Sequence, residues 1–173
     1  MNDETCHENY PFWIVMLSSI VSLAIYAAGA FVIYKIGWPW LILYILYIIW
    51  LEIRLLRKSC VNCYYYGKVC AFGKGKLVCL FFKKGDTNRF SQGKITWKSI
   101  VPDLMVSLIP MVAGIVLLVI DFNWVLLAMV LVLLLLTSMG NGLIRGSLAC
   151  KYCRQREIGC LAEQLFKRDK AKA

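Results

Sequence analysis

The sequence predicts an all-α integral membrane protein: four transmembrane helices arranged as two repeated hairpins, with a cysteine-rich loop and tail on the cytoplasmic side. Three observations carry this expectation. Sixty per cent of the 173 residues are hydrophobic, the mean hydropathy is +0.66, and the apolar excess lies in four long runs. Nearly all Lys and Arg fall on one side of those runs. A C-x2-C-x6-C spacing occurs twice, ninety positions apart, each time just beyond an apolar run.

The first unit spans residues 1–70. Its first run, residues 11–34 ("PFWIVMLSSIVSLAIYAAGAFVIY"), exceeds the roughly 18 residues that cross about 30 Å of hydrocarbon as a helix. A removable secretion leader would have a basic start and a shorter apolar core. Here the start is acidic ("MNDETCHEN"), so the segment is expected to span. The second run covers residues 38–56, with Glu52 and Arg54 close enough to one end to reach the headgroups. The motif "CVNCYYYGKVC" follows at residues 60–70.

Residues 71–97 read as a basic interfacial loop. Its "LVCLFF" is bracketed by Lys74, Lys76, Lys83 and Lys84, which would meet anionic headgroups at about 1 kcal/mol each. The "GKGK" within it lacks the full phosphate-loop pattern and no strand precedes it. The second unit, residues 98–160, holds runs at 100–120 and 122–139 and the motif "CKYCRQREIGC" at 150–160. Residues 161–173 form a basic tail.

With four crossings, the amino terminus, the central loop and the tail share one face. Nineteen of the twenty Lys and Arg lie there, Lys35 being the exception, so the positive-inside rule makes that face cytoplasmic, at the cell membrane. The net charge of +10 is thereby explained by an anionic lipid surface, without nucleic acid.

The halves match beyond their cysteines. Ala28-Gly29 and Ala113-Gly114 precede the turns, Trp40 and Trp124 follow them, and Ile53-Arg54 and Ile144-Arg145 precede the motifs. Two units entering from the same side are parallel repeats about an axis along the membrane normal. Such an axis would set the two CxxC turns face to face.

Cytosolic thiols are kept reduced, which disfavours a disulfide framework and favours metal or thiol chemistry. Cys60, Cys63, Cys150 and Cys153 would complete a tetrahedral thiolate shell around zinc, with Cys70 and Cys160 as further ligands. A second partition divides the thiols into two sites. One is Cys60, Cys63, Cys70 and Cys79; the other is Cys150, Cys153 and Cys160 joined by Cys6 or His7. Zinc and iron–sulfur both accept all-thiolate ligation, and the common ferredoxin spacings are absent, so zinc is favoured. The expected function is a structural or interaction module, with a membrane or cytosolic protein as partner. The alternative is a redox protein, by electron transfer or thiol–disulfide exchange, or a handler of soft metals. Cys60 and Cys150 also lie where palmitoylation occurs. His7 is the single histidine, and no conventional catalytic constellation is present.

Overall fold

A computed structural model describes residues 6–87, 90 and 97–160, without the side chains of residues 97–99, 145 and 157. The expected tail at 161–173 lies outside the described residues, as do Arg89, Lys94 and the side chains of Lys98 and Arg145. Helix α1 covers Phe12–Tyr34, α2 Trp38–Lys58, α3 Lys74–Phe81, α4 Trp97–Ile120, α5 Trp124–Leu135 and α6 Gln155–Gly159. A single 3-10 turn, Cys60–Asn62, follows α2. Among the described residues there is no strand; His7 and Cys153 form one isolated parallel bridge.

Among the described residues, four helical stretches are long and apolar enough to cross a membrane: Phe12–Tyr34, Trp38–Asn62, Ile100–Ile120 and Trp124–Cys150. Their outward faces carry large apolar side chains such as Leu23, Leu43, Leu46, Val119 and Leu135. That much contiguous apolar surface is unsuited to water and suited to lipid, and helices satisfy their own backbone groups there. A multi-pass membrane protein follows from the four helices.

The helices outrun the expected boundaries. The second run continues to Lys58 rather than 56. The third helix starts at Trp97 rather than 100. The fourth run, expected to stop at 139, stays helical to Cys150 through two π-helical segments, Leu136–Gly140 and Gly142–Cys150. Hydropathy falls in "TSMGNGLIRGS", yet hydrogen bonding does not stop there. Thr137 and Ser138 donate to the Leu133 and Leu134 carbonyls at 2.7 and 2.6 Å, and such back-bonding accompanies widened turns. Cys150 therefore ends a helix instead of lying beyond one.

Helix α1 is central, packing against α2, α4 and α5. Close approach depends on two glycines. A Cβ on Gly29 would collide with the Tyr44 hydroxyl and lie 3.2 Å from Pro110 Cγ. A Cβ on Gly114 would lie 2.5 Å from Val130 Cγ2 and 3.3 Å from Val32 Cγ1. Small residues thus bring backbones together where no hydrophobic effect drives association. Pro110 sits inside α4 and has no N–H to give the Val106 carbonyl four residues back. The Tyr44 hydroxyl of α2 donates to that carbonyl at 2.8 Å.

Candidate functional site

The site lies where the amino-terminal segment, the loop after α2 and the end of the α5 run converge. Each CxxC makes the same pair of turns. Cys63 N donates to Cys60 O at 3.3 Å and Tyr66 N to Cys63 O at 3.1 Å; Cys153 N donates to Cys150 O at 3.4 Å and Arg156 N to Cys153 O at 3.0 Å. The corresponding backbone groups therefore follow one pattern ninety residues apart.

The two turns are also bonded to one another. Tyr64 N donates to Gln155 Oε1 at 2.7 Å, and Arg154 N donates to the Tyr65 hydroxyl at 3.1 Å. In each case the N–H belongs to the residue after the second cysteine, and the acceptor lies two residues after the other motif's second cysteine. Gln155 is buried, and its Nε2 donates to Gly159 O at 3.3 Å, so the amide is used at both ends.

The amino-terminal segment laces the turns together. His7 N donates to Tyr152 O at 3.1 Å and Tyr10 N to Val69 O at 3.0 Å. The Tyr65 hydroxyl donates to His7 O at 2.6 Å, Tyr10 donates to Ala149 O, and Val69 N donates to Asn9 Oδ1 at 3.0 Å. Beneath them Tyr10, Ile14, Tyr65, Ala71 and Ala149 form a small core against which Cys63, Cys70 and Cys153 pack.

Burial pushes the Cys63 thiol up. Hydrogen bonding from the Tyr65 backbone opposes this, and the neighbouring Cys70 and Cys160 thiols add to it. Cys153 is pushed up to about 11, first by burial, against hydrogen bonding from the Gln155 backbone, then by Cys63, Cys160 and Cys150. Cys63 and Cys153 thus feel thiols from both motifs, and each is approached by the backbone of the residue two positions on.

The remaining candidates are spread around this centre. Cys60 is half-buried in the 3-10 turn, Cys160 half-buried at the end of α6, and Cys150 exposed. Cys70 Sγ accepts the Gly75 N–H at 3.3 Å. Cys79 is exposed on α3, with its Sγ 3.5 Å from Gly75 O. Cys6 is half-buried and acts electrostatically on Tyr65. The His7 ring lies against Tyr10 and Tyr152, with centroids 5.3 and 5.4 Å away. Among the described residues, no three His, Cys, Asp or Glu side chains stand close enough to hold a metal ion as placed.

Of the charged residues at the helix ends, Glu52 takes a partner that sequence did not suggest. Its Oε1 accepts from the Tyr26 hydroxyl at 2.7 Å, and its Oε2 pairs with Lys74 of α3 at 2.5 Å. Arg54 lies over the Trp50 ring at 5.6 Å. The structurally important residues that sequence reasoning passed over are Tyr10, Tyr65 and Gln155. Their one sequence signal is positional: Tyr65 and Gln155 hold the same offset from their cysteines.

No family model, curated protein or solved structure matches this chain.

Proposed function

We propose that this chain is a multi-pass protein of the cell membrane, built of two parallel hairpin repeats, whose duplicated C-x2-C-x6-C motifs supply one shared thiolate site on the cytoplasmic face. The site takes a soft metal, zinc in preference to an iron–sulfur cluster, and the metal staples the repeats into a structural or interaction module. The observation that carries the reading is the reciprocal pair of bonds, Tyr64 N to Gln155 and Arg154 N to Tyr65. It supports a shared site over two separate ones, because it holds a CxxC of one motif against a CxxC of the other.

The ligand set centres on Cys63 and Cys153, with Cys60, Cys70, Cys150 and Cys160 as the surrounding thiols. Cys79, Cys6 and His7 are outside it: Cys79 is engaged with α3, and His7 with tyrosine rings. Raised thiols at Cys63 and Cys153 also weigh against a nucleophilic thiolate, which needs a lowered pKa. Structural metal is the better use of them.

Anaerobic purification in mild detergent, followed by zinc, iron and copper analysis and a visible spectrum, tests the reading. Near-stoichiometric colourless zinc that is lost in Cys63→Ser and Cys153→Ser supports it. Iron with thiolate-to-metal absorption would replace the staple with electron transfer. A chain free of metal would overturn the reading.

A further inference from the structure

Helix α3 meets the thiol site through Gly75, whose N–H goes to Cys70 Sγ, but its outer face takes no part in that site. One face is docked: Gly75 and Val78 are buried, and a Cβ on Gly75 would collide with the Tyr65 and Lys68 carbonyls. The other face is bare, with Leu77, Leu80 and Phe81 exposed by 46, 78 and 68 %. Positions 77, 80 and 81 are neighbours on a helix surface. Exposed Lys76, Lys83 and Lys84 surround them.

The depth of α3 relative to the spans is fixed at two points. A Cβ on Gly73, just before α3, would lie 3.1 Å from Val15 Cγ1, and Val15 is only the fourth residue of α1. Lys74 pairs with Glu52, which lies six residues before the end of α2 at Lys58, or about 9 Å along the axis. The start of α3 is therefore level with the last turns of apolar helices, where headgroups meet acyl chains.

We propose that α3 is a lipid-docking helix, seating Leu77, Leu80 and Phe81 at the acyl boundary of an anionic bilayer, with Lys76, Lys83 and Lys84 on the lipid phosphates. The occupant is the bilayer that holds the spans, because the start of α3 lies at the depth of the end turns of α1 and α2 and the cations beside its bare face complement anionic headgroups. An apolar face flanked by lysines is the pattern of interfacial helices. This inference stands whether or not the thiols hold metal.

The full chain in phosphatidylcholine nanodiscs, with and without about 30 mol % phosphatidylglycerol, gives the test. Lipids carrying a diazirine near the glycerol are photolysed and adducts are mapped by mass spectrometry, while lysine acetylation reports on the cations. The expected result is lipid adducts on residues 77–81, and acetylation of Lys76, Lys83 and Lys84 slowed about threefold by phosphatidylglycerol and restored by salt. The double variant Leu80→Glu, Phe81→Glu should lose the adducts at α3 while those on Ile49 and Ile53 of α2, exposed near the same depth, persist, which separates lost docking from misfolding. Lipid adducts on α2 with none on α3 would overturn the proposal. Acetylation indifferent to phosphatidylglycerol would overturn its anionic part.

Discussion

Tyr65 and Gln155 occupy the same place in the two cysteine motifs, and each accepts the backbone N–H that follows the other motif's second cysteine, at 3.1 and 2.7 Å. Neither bond is local, since their partners stand 89 and 91 residues away. Two part-buried donors are satisfied by two side chains, so separating the turns breaks both bonds.

Removing either acceptor should cost stability. Gln155→Leu leaves the Tyr64 N–H without its acceptor and should lower detergent stability by about 1–3 kcal/mol. Tyr65→Phe removes the acceptor for Arg154 N together with the donor to His7 O and should cost a similar amount. Thermal unfolding of both single variants and the double variant closes a cycle. Strict additivity would show that the bonds act independently and would count against a single locked unit.

The thiols give a prediction about pH. Cys153 sits at about 11 against an ordinary 9.0, so near pH 7.5 it holds roughly a hundredfold less thiolate than an unperturbed thiol. Alkylation of Cys153 in chelator-treated protein should be slow and should accelerate about tenfold per pH unit up to the region of its pKa. For stability the sign is set by the raised value: the unfolded thiol ionises first, so stability is intact below about pH 9 and falls as pH rises towards 11. Flat stability across that window would refute the assignment.

Tyr44 and Pro110 form a pair that can be tested by rescue. Tyr44→Phe should cost about 1 kcal/mol, because the Val106 carbonyl loses its donor inside the bundle. Pro110→Ala returns an N–H in register with that carbonyl, so Tyr44→Phe should cost less in a Pro110→Ala background. An equal cost in both backgrounds would mean that the hydroxyl does not serve the carbonyl. Gly29→Ala should be more damaging than either, because its methyl collides with the Tyr44 hydroxyl.

Glu52 should matter to α3. Lys74→Met removes a partly buried charge-assisted bond and should cost about 1.5–3 kcal/mol, with faster proteolysis between residues 74 and 84 as the local readout. Glu52→Gln keeps an acceptor for Tyr26 and should be milder. If limited proteolysis of that stretch is unchanged in Lys74→Met, the pair does not hold α3 in place.

Much of the architecture was legible in the chain alone. Four spans could be counted because span hydropathy is a sum over neighbouring residues, insensitive to what each side chain touches. The cysteine spacing was legible for the same local reason. Span ends were less so. "TSMGNGLIRGS" lowers the hydropathy but leaves backbone bonding intact, which is why the last span was read as ending at 139 while the helix runs to Cys150. Helix α3 was legible as an apolar stretch between lysines, but not as a helix docked by Gly75 on one side.

The sequence by itself therefore determined which segments are apolar enough for lipid, where the basic residues lie relative to them, and that a three-cysteine spacing occurs twice. Tertiary structure alone decided the partners: Gln155 with Tyr64, Tyr65 with Arg154, Tyr44 with the carbonyl that Pro110 leaves open, and Lys74 with Glu52. The physical reason is range. Hydropathy and spacing act over one or two helical turns, whereas a buried donor takes whichever acceptor the packing of distant helices brings within about 3 Å.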